Sequence, residues 1–484
     1  MPKPEELTVS EISRRAVAGV MVLTVRKFLL KAVNYLGSII LARLLAPEIF
    51  GVFAIVSFII TFFGFFSDVG LGAALIQKKD QLTAKDLAVT FTLQQLLVVM
   101  VTGLIWLTAP WFAGKYNLGS EGVWLLRIFS LSLFLTSLKT IPSILLERQL
   151  RFNRLIWPEV VEVVSFQVIA VVLAYMDWGV WSFILALLIR SLLGALVLFY
   201  LSPWRISFAW DNAIAKRLVA FGIPYNLNGF IATIKDAVMP VFVGAVSGTA
   251  AVGYLNWALT FSKLPILFMS DIFRVTFPAY ARIQGRPELL KKAIEKTIRF
   301  TNLFLLPAAF ILAALARPIV TLVFTDKWLP ALPAFYLHLV GIIIVGITNT
   351  FMDALWALGR TKTAVKLLII STVVNWGASV PLVYWLGFNG AMVGSVIVLY
   401  VSLPLTWFAI RQIVKVEVIR YTWPAFLASV LAGLTAFKLN FLAGNLFGLF
   451  LVGFVGGLVY LVGLVIFDRK QLLLDARWFW QKIR

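Results

Sequence analysis

Fourteen ionisable side chains fall within stretches that are otherwise apolar: Arg26, Lys27, Lys31, Asp68, Lys139, Glu159, Glu162, Arg190, Lys235, Asp236, Lys263, Asp271, Arg274 and Asp353. Six of the cations, Arg26, Lys31, Lys139, Arg190, Lys235 and Lys263, lie close to the centres of their stretches. A set of this kind attracts an anionic, polar cargo by charge. Tyr225, Asn226, Asn228, Gln94 and Gln95 add uncharged hydrogen-bonding groups suited to hydroxyl-rich ligands. The carboxylates Asp68, Asp271 and Asp353 are candidates for gating or ion coupling. With no cysteine and a single histidine, His338, thiolate and histidine-rich metal sites are excluded. No cofactor is expected beyond a coupled proton or sodium ion, or the membrane potential.

The elements that carry these residues are about fourteen apolar segments, each near the ~20 residues needed to cross a hydrocarbon core. Their approximate limits are 16–42, 49–76, 86–109, 122–146, 155–176, 179–201, 218–246, 251–278, 300–324, 331–357, 364–385, 388–410, 421–440 and 444–467. Irregular backbone cannot face lipid, and a barrel would show ~10-residue alternating segments, so the spans are expected to be helices. The composition is 61% hydrophobic, well above the roughly 45–50% of soluble domains. One polytopic, all-α membrane unit is therefore expected.

Lysine and arginine crowd into every second loop. Lys78, Lys79 and Lys85 fill one, Arg148, Arg151 and Arg154 the next, and Arg282, Arg286, Lys291, Lys292, Lys296 and Arg299 the richest. The alternate loops hold little beyond Arg43, Lys115, Lys327 and Lys438. By the positive-inside rule both termini are cytoplasmic. The same sorting explains the net charge of +21 without a nucleic-acid partner. The segment after Arg14 is too long for a cleavable signal and lacks a small-residue cleavage site.

A basic or Asp side chain facing lipid at a helix centre costs roughly 2.5–3.5 kcal/mol. The intramembrane charges must therefore face one another or water. Asp271 and Arg274, three apart, are suited to an ion pair. Glu159 and Glu162, near the end of their span, are suited to holding Arg154 or a neighbouring loop. The remaining cations outnumber the acids, which predicts a wet cationic cavity. For each single cation, substrate contact competes with snorkelling or helix pairing.

The longest connections are 202–217 and 279–299. In the second, Pro287 suits a first helical position, and Leu290, Ile294 and Ile298 recur at four-residue steps among lysines. This predicts an interfacial helix with a basic side. The tail from Asp468 reads as a membrane-surface anchor. Gly453 and Gly457 form a G-x-x-x-G, for which dimerisation competes with close packing inside the monomer.

Weak internal repetition pairs the turn at Leu45–Phe53 with Gly248–Leu255, each followed by an acid, Asp68 or Asp271. Asp177-Trp178-Gly179-Val180 is similarly echoed by Phe388-Asn389-Gly390-Ala391. Six spans per repeat is an even number, so the halves enter from one side, as in parallel-repeat transporters. The expected organisation is an N-lobe at 1–201, a linker at 202–217 and a C-lobe at 218–411. Spans 13 and 14 form an appendage at 412–467, followed by an amphipathic tail at 468–484.

The run Leu41-Ala42-Arg43-Leu44-Leu45-Ala46-Pro47-Glu48-Ile49-Phe50-Gly51 and the run from Phe66 to Gln77 resemble the Wzx-type polysaccharide flippases. Glu147-Arg148-Gln149-Leu150-Arg151-Phe152, Ser202-Pro203-Trp204-Arg205 and Phe277-Pro278-Ala279-Tyr280-Ala281-Arg282 carry the same resemblance. The branch they look like is that of colanic- and teichuronic-acid exporters. The resemblance implies the multidrug/oligosaccharidyl-lipid/polysaccharide superfamily fold, two six-helix lobes in a V. It further implies movement of undecaprenyl-diphosphate-linked oligosaccharide from the inner to the outer leaflet of the cytoplasmic membrane. Implied partners are that substrate, membrane lipids and the polysaccharide polymerase or export machinery, with the carrier itself a monomer. By analogy with lipid II flippases, spans 13 and 14 are candidates for a polyprenyl groove, but no counterpart of their arginine cluster is evident. A lipid II-type flippase remains an alternative. A small-molecule antiporter would want an acidic cavity, and an enzyme would need an ordered acid–base site that no external loop is long enough to supply.

Overall fold

Apolar runs of this length leave the backbone one way to satisfy its polar groups in lipid, and the chain adopts it. A computed structural model describes the backbone of residues 9–119 and 121–483. It describes the side chains of the same residues except 9–25, 27, 228–237, 268, 270, 271, 470 and 473–483. The fold is all-α, with no strand among the described residues.

Twelve helices among the described residues are long and apolar enough to cross a membrane, against the fourteen segments expected. Segment 16–42 belongs to α1 (Val9–Leu44), part of whose side chains lie outside the described residues. Segments 218–246 and 251–278 contribute a single such helix, Val238–Ser262. Both belong in part to α9 (Asn212–Ser262), which is interrupted at Gly248 (φ 84°). This is the turn that the repeat placed between them.

The chain divides into two compact units, 1–237 and 238–484. In the first unit, α2 (Pro47–Asp68) stops short of the expected span end, and a separate α3 (Leu71–Gln77) follows. The other helices of this unit are α4 (Ala84–Lys115), α5 (Gly122–Ser130), α6 (Ser132–Arg148), α7 (Phe152–Tyr175) and α8 (Trp181–Leu201). Leu71 and Leu75 of α3 are buried with Phe91, Ile141, Ile144 and Leu218. Leu218 ties the start of α9 to this unit, whereas the repeat assigned everything after 217 to the C-lobe. Arg217 adds an ion pair to the buried Asp86 at 3.1 Å. Asp86 also closes a capping box with Thr83, which starts α4. In the loop before α9, the hydrogen bond from Lys85 holds the Asp211 carboxyl below the usual carboxylate range.

The second unit holds the rest of α9, then α10 (Met269–Arg282), α11 (Pro287–Ile319), α12 (Leu332–Ala357), α13 (Thr361–Leu386), α14 (Phe388–Arg411), α15 (Val418–Lys438) and α16 (Leu446–Ile483). Here the expected interfacial helix is corrected. The helix begun at Pro287 runs without a break into the following span. Leu290, Ile294 and Ile298 are each fully buried against Tyr280, Phe351 and Leu355. Their four-residue spacing therefore marks the stripe facing a protein core. α16 is interrupted at Asp468 (φ −144°), where Arg299, almost fully buried, forms an ion pair with the Asp468 carboxylate. The tail side chains from residue 473 lie outside the described residues.

One packing device recurs in both units. A polar side chain from one helix lodges against a glycine of another, where any Cβ would collide with it. A Cβ on Gly37 would lie 2.1 Å from the Gln167 Oε1, and one on Gly194 would lie 2.0 Å from the Glu162 Oε1. In the second unit, a Cβ on Gly346 would come 2.6 Å from Asn302 Oδ1, and one on Gly394 would come 2.0 Å from Ser379 Oγ. In lipid, apolar side chains gain little by leaving the solvent, so small residues and polar cross-helix contacts take over the role of holding helices together.

Candidate cargo and ion sites

Of the five expected cations whose side chains are described, three have carboxylate partners, and all three sit in the first unit. On α6, Lys139 donates to Glu162 Oε1 of α7 at 2.7 Å. From α8, Arg190 approaches the other oxygen of the same carboxylate at 3.7 Å. Its guanidinium also lies 5.6 Å from the centre of the Phe166 ring. Arg26 of α1 meets Glu159 of α7 at 3.3 Å. The two acids of α7 thus bind intramembrane cations rather than Arg154, whose guanidinium donates to the Leu201 carbonyl. Pairing absorbs more of the cations than the sequence suggested. Even so, one carboxylate shared by Lys139 and Arg190 leaves a local excess of one positive charge.

Lys31 on α1 and Lys263, just before a short 3-10 turn at Leu264–Phe268, have no carboxylate within 4.0 Å among the described residues. Lys263 is exposed. The side chains of Lys235 and Asp271 lie outside the described residues, and with Asp271 the expected pair to Arg274. Asp353 of α12 accepts from Thr276 Oγ1 at 3.1 Å, beside Tyr280, whose hydroxyl donates to Thr297 at 2.6 Å. His338 shares a 2.7 Å, partly buried hydrogen bond with Ser262.

Asp68 ends α2 and opens onto a cavity of about 430 Å³ wholly within the first unit. Thr61, Ser67, Ser132, Thr136, Ser137 and Thr140 line it with hydroxyls, and Gln94 and Asn226 with amides. Gln94 Nε2 donates to Thr140 Oγ1 at 2.9 Å and reaches Asp68 Oδ1 at 3.4 Å. Asn226 Nδ2 donates to the Phe65 carbonyl at 2.9 Å. Gln95, grouped with Gln94 in the sequence, donates instead to Ser137 at 2.8 Å. Sequence reasoning singled out Asp68, Gln94 and Asn226 but not Thr140, because a lone threonine in an apolar span gives no signal until its neighbours are known.

The family model described as a polysaccharide biosynthesis protein matches residues 40–333. The teichuronic acid biosynthesis protein TuaB of Bacillus subtilis is 27% identical over 372 residues, covering 75% of this chain and 74% of that protein. The succinoglycan biosynthesis transport protein ExoT of Rhizobium meliloti is 26% identical over 394 residues, 80% of this chain and 76% of its own. Among solved structures, a lipid II flippase MurJ in an inward closed conformation superposes with a TM-score of 0.78. That likeness has 18% identity and covers 93% of this chain and 100% of the other, and it bears on the fold.

Proposed function

This chain belongs to the polysaccharide biosynthesis protein family, and from that premise we propose that it flips polyprenyl-diphosphate-linked oligosaccharide from the inner to the outer leaflet of the cytoplasmic membrane. The observation that carries the reading is the sharing of Glu162 by Lys139 and Arg190. A single carboxylate between two cations holds them at depth and leaves one charge for an anion. Lys31 and Lys263, without carboxylate partners among the described residues, extend the same attraction. Arg26 and Lys235 complete the proposed cationic set, Arg26 by exchanging Glu159 for a phosphate oxygen. A diphosphate is the part of the cargo that needs such a site, and sugar hydroxyls suit amide and hydroxyl side chains. The lipid tail remains in the bilayer, with α15 and α16 as its candidate groove.

Transport by alternating access makes and breaks no covalent bond, so no catalytic residues are assigned. Asp68, Asp271 and Asp353 are the candidate gate carboxylates. The alternation of basic loops supports cytoplasmic termini.

The test is leaflet-resolved transport of a fluorescent polyprenyl-diphosphate oligosaccharide in proteoliposomes, with lipid II as a competing cargo. Replacing Lys31, Arg190 and Lys263 together by Gln is expected to slow transport by roughly tenfold or more, the equivalent of about 1.4 kcal/mol of lost attraction. Wild-type protein that leaves the probe in its original leaflet, or a triple variant as fast as wild type, would defeat the reading.

A further inference from the structure

We propose that the wedge between the last turns of α14 and the start of α15 seats one anionic phospholipid, its phosphate held by Arg411 and Arg420 and an acyl chain lying between the helices. α14 packs on α12 and α13, whereas α15 packs on α11 and α16. Joined by a short loop but packed on different partners, the two leave a cavity of about 580 Å³ where they diverge. That is within the usual range of small-ligand pockets. Leu403, Pro404 and Trp407 of α14 line one side, and Val416, Val418 and Ile419 the other. Leu403 lies eight residues from Arg411, so the cavity extends about 12 Å down α14 from its basic end. Both helices are long and apolar enough to cross a membrane. Ile419, although it lines the cavity, is 80% exposed. An apolar side chain in that position is covered by lipid, so the wedge opens to the bilayer. None of its lining residues belongs to α16, the partner of α15 in the candidate cargo groove.

The mouth of the wedge is basic. Arg411, in the last turn of α14, lies 4.8 Å from the centre of the Trp407 ring. Arg420 lines the cavity and lies 5.9 Å from the Tyr421 ring. The one acid in the wall, Glu417, is already engaged at both oxygens, by Lys291 at 3.1 Å and by Arg420 at 3.0 Å. Glu295, almost fully buried, accepts from the Glu417 backbone N–H and lies 3.8 Å from Lys291. Arg411 and Lys415 have no carboxylate within 4.0 Å among the described residues. Four cations thus meet two carboxylates, an excess that a phosphate would balance. Lys291 reaches the loop from α11, so two basic connections share this side of the unit, and by the positive-inside rule it meets the cytoplasmic leaflet. Basic pockets between spanning helices on that side suit anionic headgroups. A free anion would leave the apolar walls bare, and an apolar helix would leave the charges unmatched.

Purified full-length protein, delipidated in detergent, tests the seat by native mass spectrometry and thermal unfolding. The probes are phosphatidylglycerol, phosphatidylcholine with the same acyl chains, and inorganic phosphate. Wild type is expected to bind one phosphatidylglycerol at least about tenfold more tightly than phosphatidylcholine, and to unfold at higher temperature with it. The double variant Arg411→Gln, Arg420→Gln should weaken that binding at least about tenfold, and the same pair changed to Lys should recover most of it. Val418→Trp, which fills the wedge and leaves its basic mouth intact, should also weaken binding. Should the Gln pair fail to fold, Val418→Trp and the comparison of the two lipids decide. Equal binding of the two lipids, equal stabilisation by inorganic phosphate, or wild-type binding by either the Gln pair or Val418→Trp would overturn the proposal. A lipid-free dimer that Val418→Trp converts to a monomer would overturn it too, because a second copy would then fill the wedge.

Discussion

Lys139 donates to Glu162 across 2.7 Å, and the carboxylate reaches it by lying against Gly194, where a side chain would leave no room. Both members are largely removed from solvent, at 17% and 16% exposure. The ion pair and the glycine are therefore one device, joining α6, α7 and α8.

Gly194→Leu should dislodge the carboxylate and separate all three helices. The expected loss is about 1–3 kcal/mol from overpacking, with more from unpairing the charges. It is measured as a fall in unfolding temperature in detergent. Glu162→Gln should also destabilise, because two partly buried cations would then face each other with no intervening charge. If instead Glu162→Gln is as stable as wild type, Lys139 and Arg190 are already solvated and the pair is incidental.

Arg148 makes a second prediction. Its guanidinium donates to the carbonyls of Leu75 at 2.8 Å, Lys78 at 2.7 Å and Asp80 at 2.9 Å. These are the last carbonyls of α3 and the turn beyond it, groups that have no partner within the helix. Lysine has the charge but not the planar fork, so Arg148→Lys should recover only part of what Arg148→Ala loses. The expected cost of Arg148→Ala is about 1–3 kcal/mol, seen in unfolding and in faster proteolysis of the loop before α4. Equal stability of the two variants would show that charge alone matters at this position.

Most of the spans and their helical character were legible because hydropathy is local in sequence. What was not legible depended on neighbours. Nothing near Glu162 announces that its partners come from α6 and α8, or that Gly194 clears the way. Nor did the run from 49 to 76 reveal its break at Val69 and Gly70, since both flanks are equally apolar and Gly72 offers the same signal as Gly70. The stripe of Leu290, Ile294 and Ile298 was found, but periodicity says which residues share a face and not what that face meets. The lysines on the other sides of the helix suggested a membrane surface, and Phe351 and Leu355 supply the core that is there instead.

That correction yields a third prediction. If the stripe packs on protein, Ile294→Ala should create a cavity and cost about 2–5 kcal/mol. Membrane extraction of the chain should be unchanged, because its spans provide the anchoring. Normal stability combined with looser membrane association would restore the interfacial reading.

Glu417 provides a pH test outside the spans. In the loop between α14 and α15 it accepts from Arg420 at 3.0 Å and from Lys291 of α11 at 3.1 Å. These hydrogen bonds, that of Arg420 first, hold its carboxyl below the usual glutamate range. A depressed folded-state pKa means the contribution is present above the unfolded value and is lost as pH falls through the folded one. Acidification below the ordinary glutamate range should therefore destabilise wild type more than Glu417→Gln. Parallel stability curves for the two proteins would exclude the link.

Helix α16 offers a final prediction, on how it is used by a chain expected to be a monomer. Gly453 and Gly457 have the spacing of a dimerisation motif, yet a Cβ on Gly457 would meet no atom within 4 Å. The glycines that matter for packing are set on another face. A Cβ on Gly463 would lie 3.0 Å from that of Ala428, and one on Gly456 would lie 3.4 Å from Ile311. Ala425, Ala428 and Ala432 of α15 are buried with Tyr460 and Leu464 of α16, so small residues bring the two helices together within one chain. Gly463→Leu should therefore lower the unfolding temperature, by the roughly 1–3 kcal/mol typical of overpacking. Gly457→Leu should leave both stability and mass unchanged, as read by light scattering of the purified protein. If Gly457→Leu instead converts a dimer to a monomer, the open face is an interface between copies and the motif acts between chains.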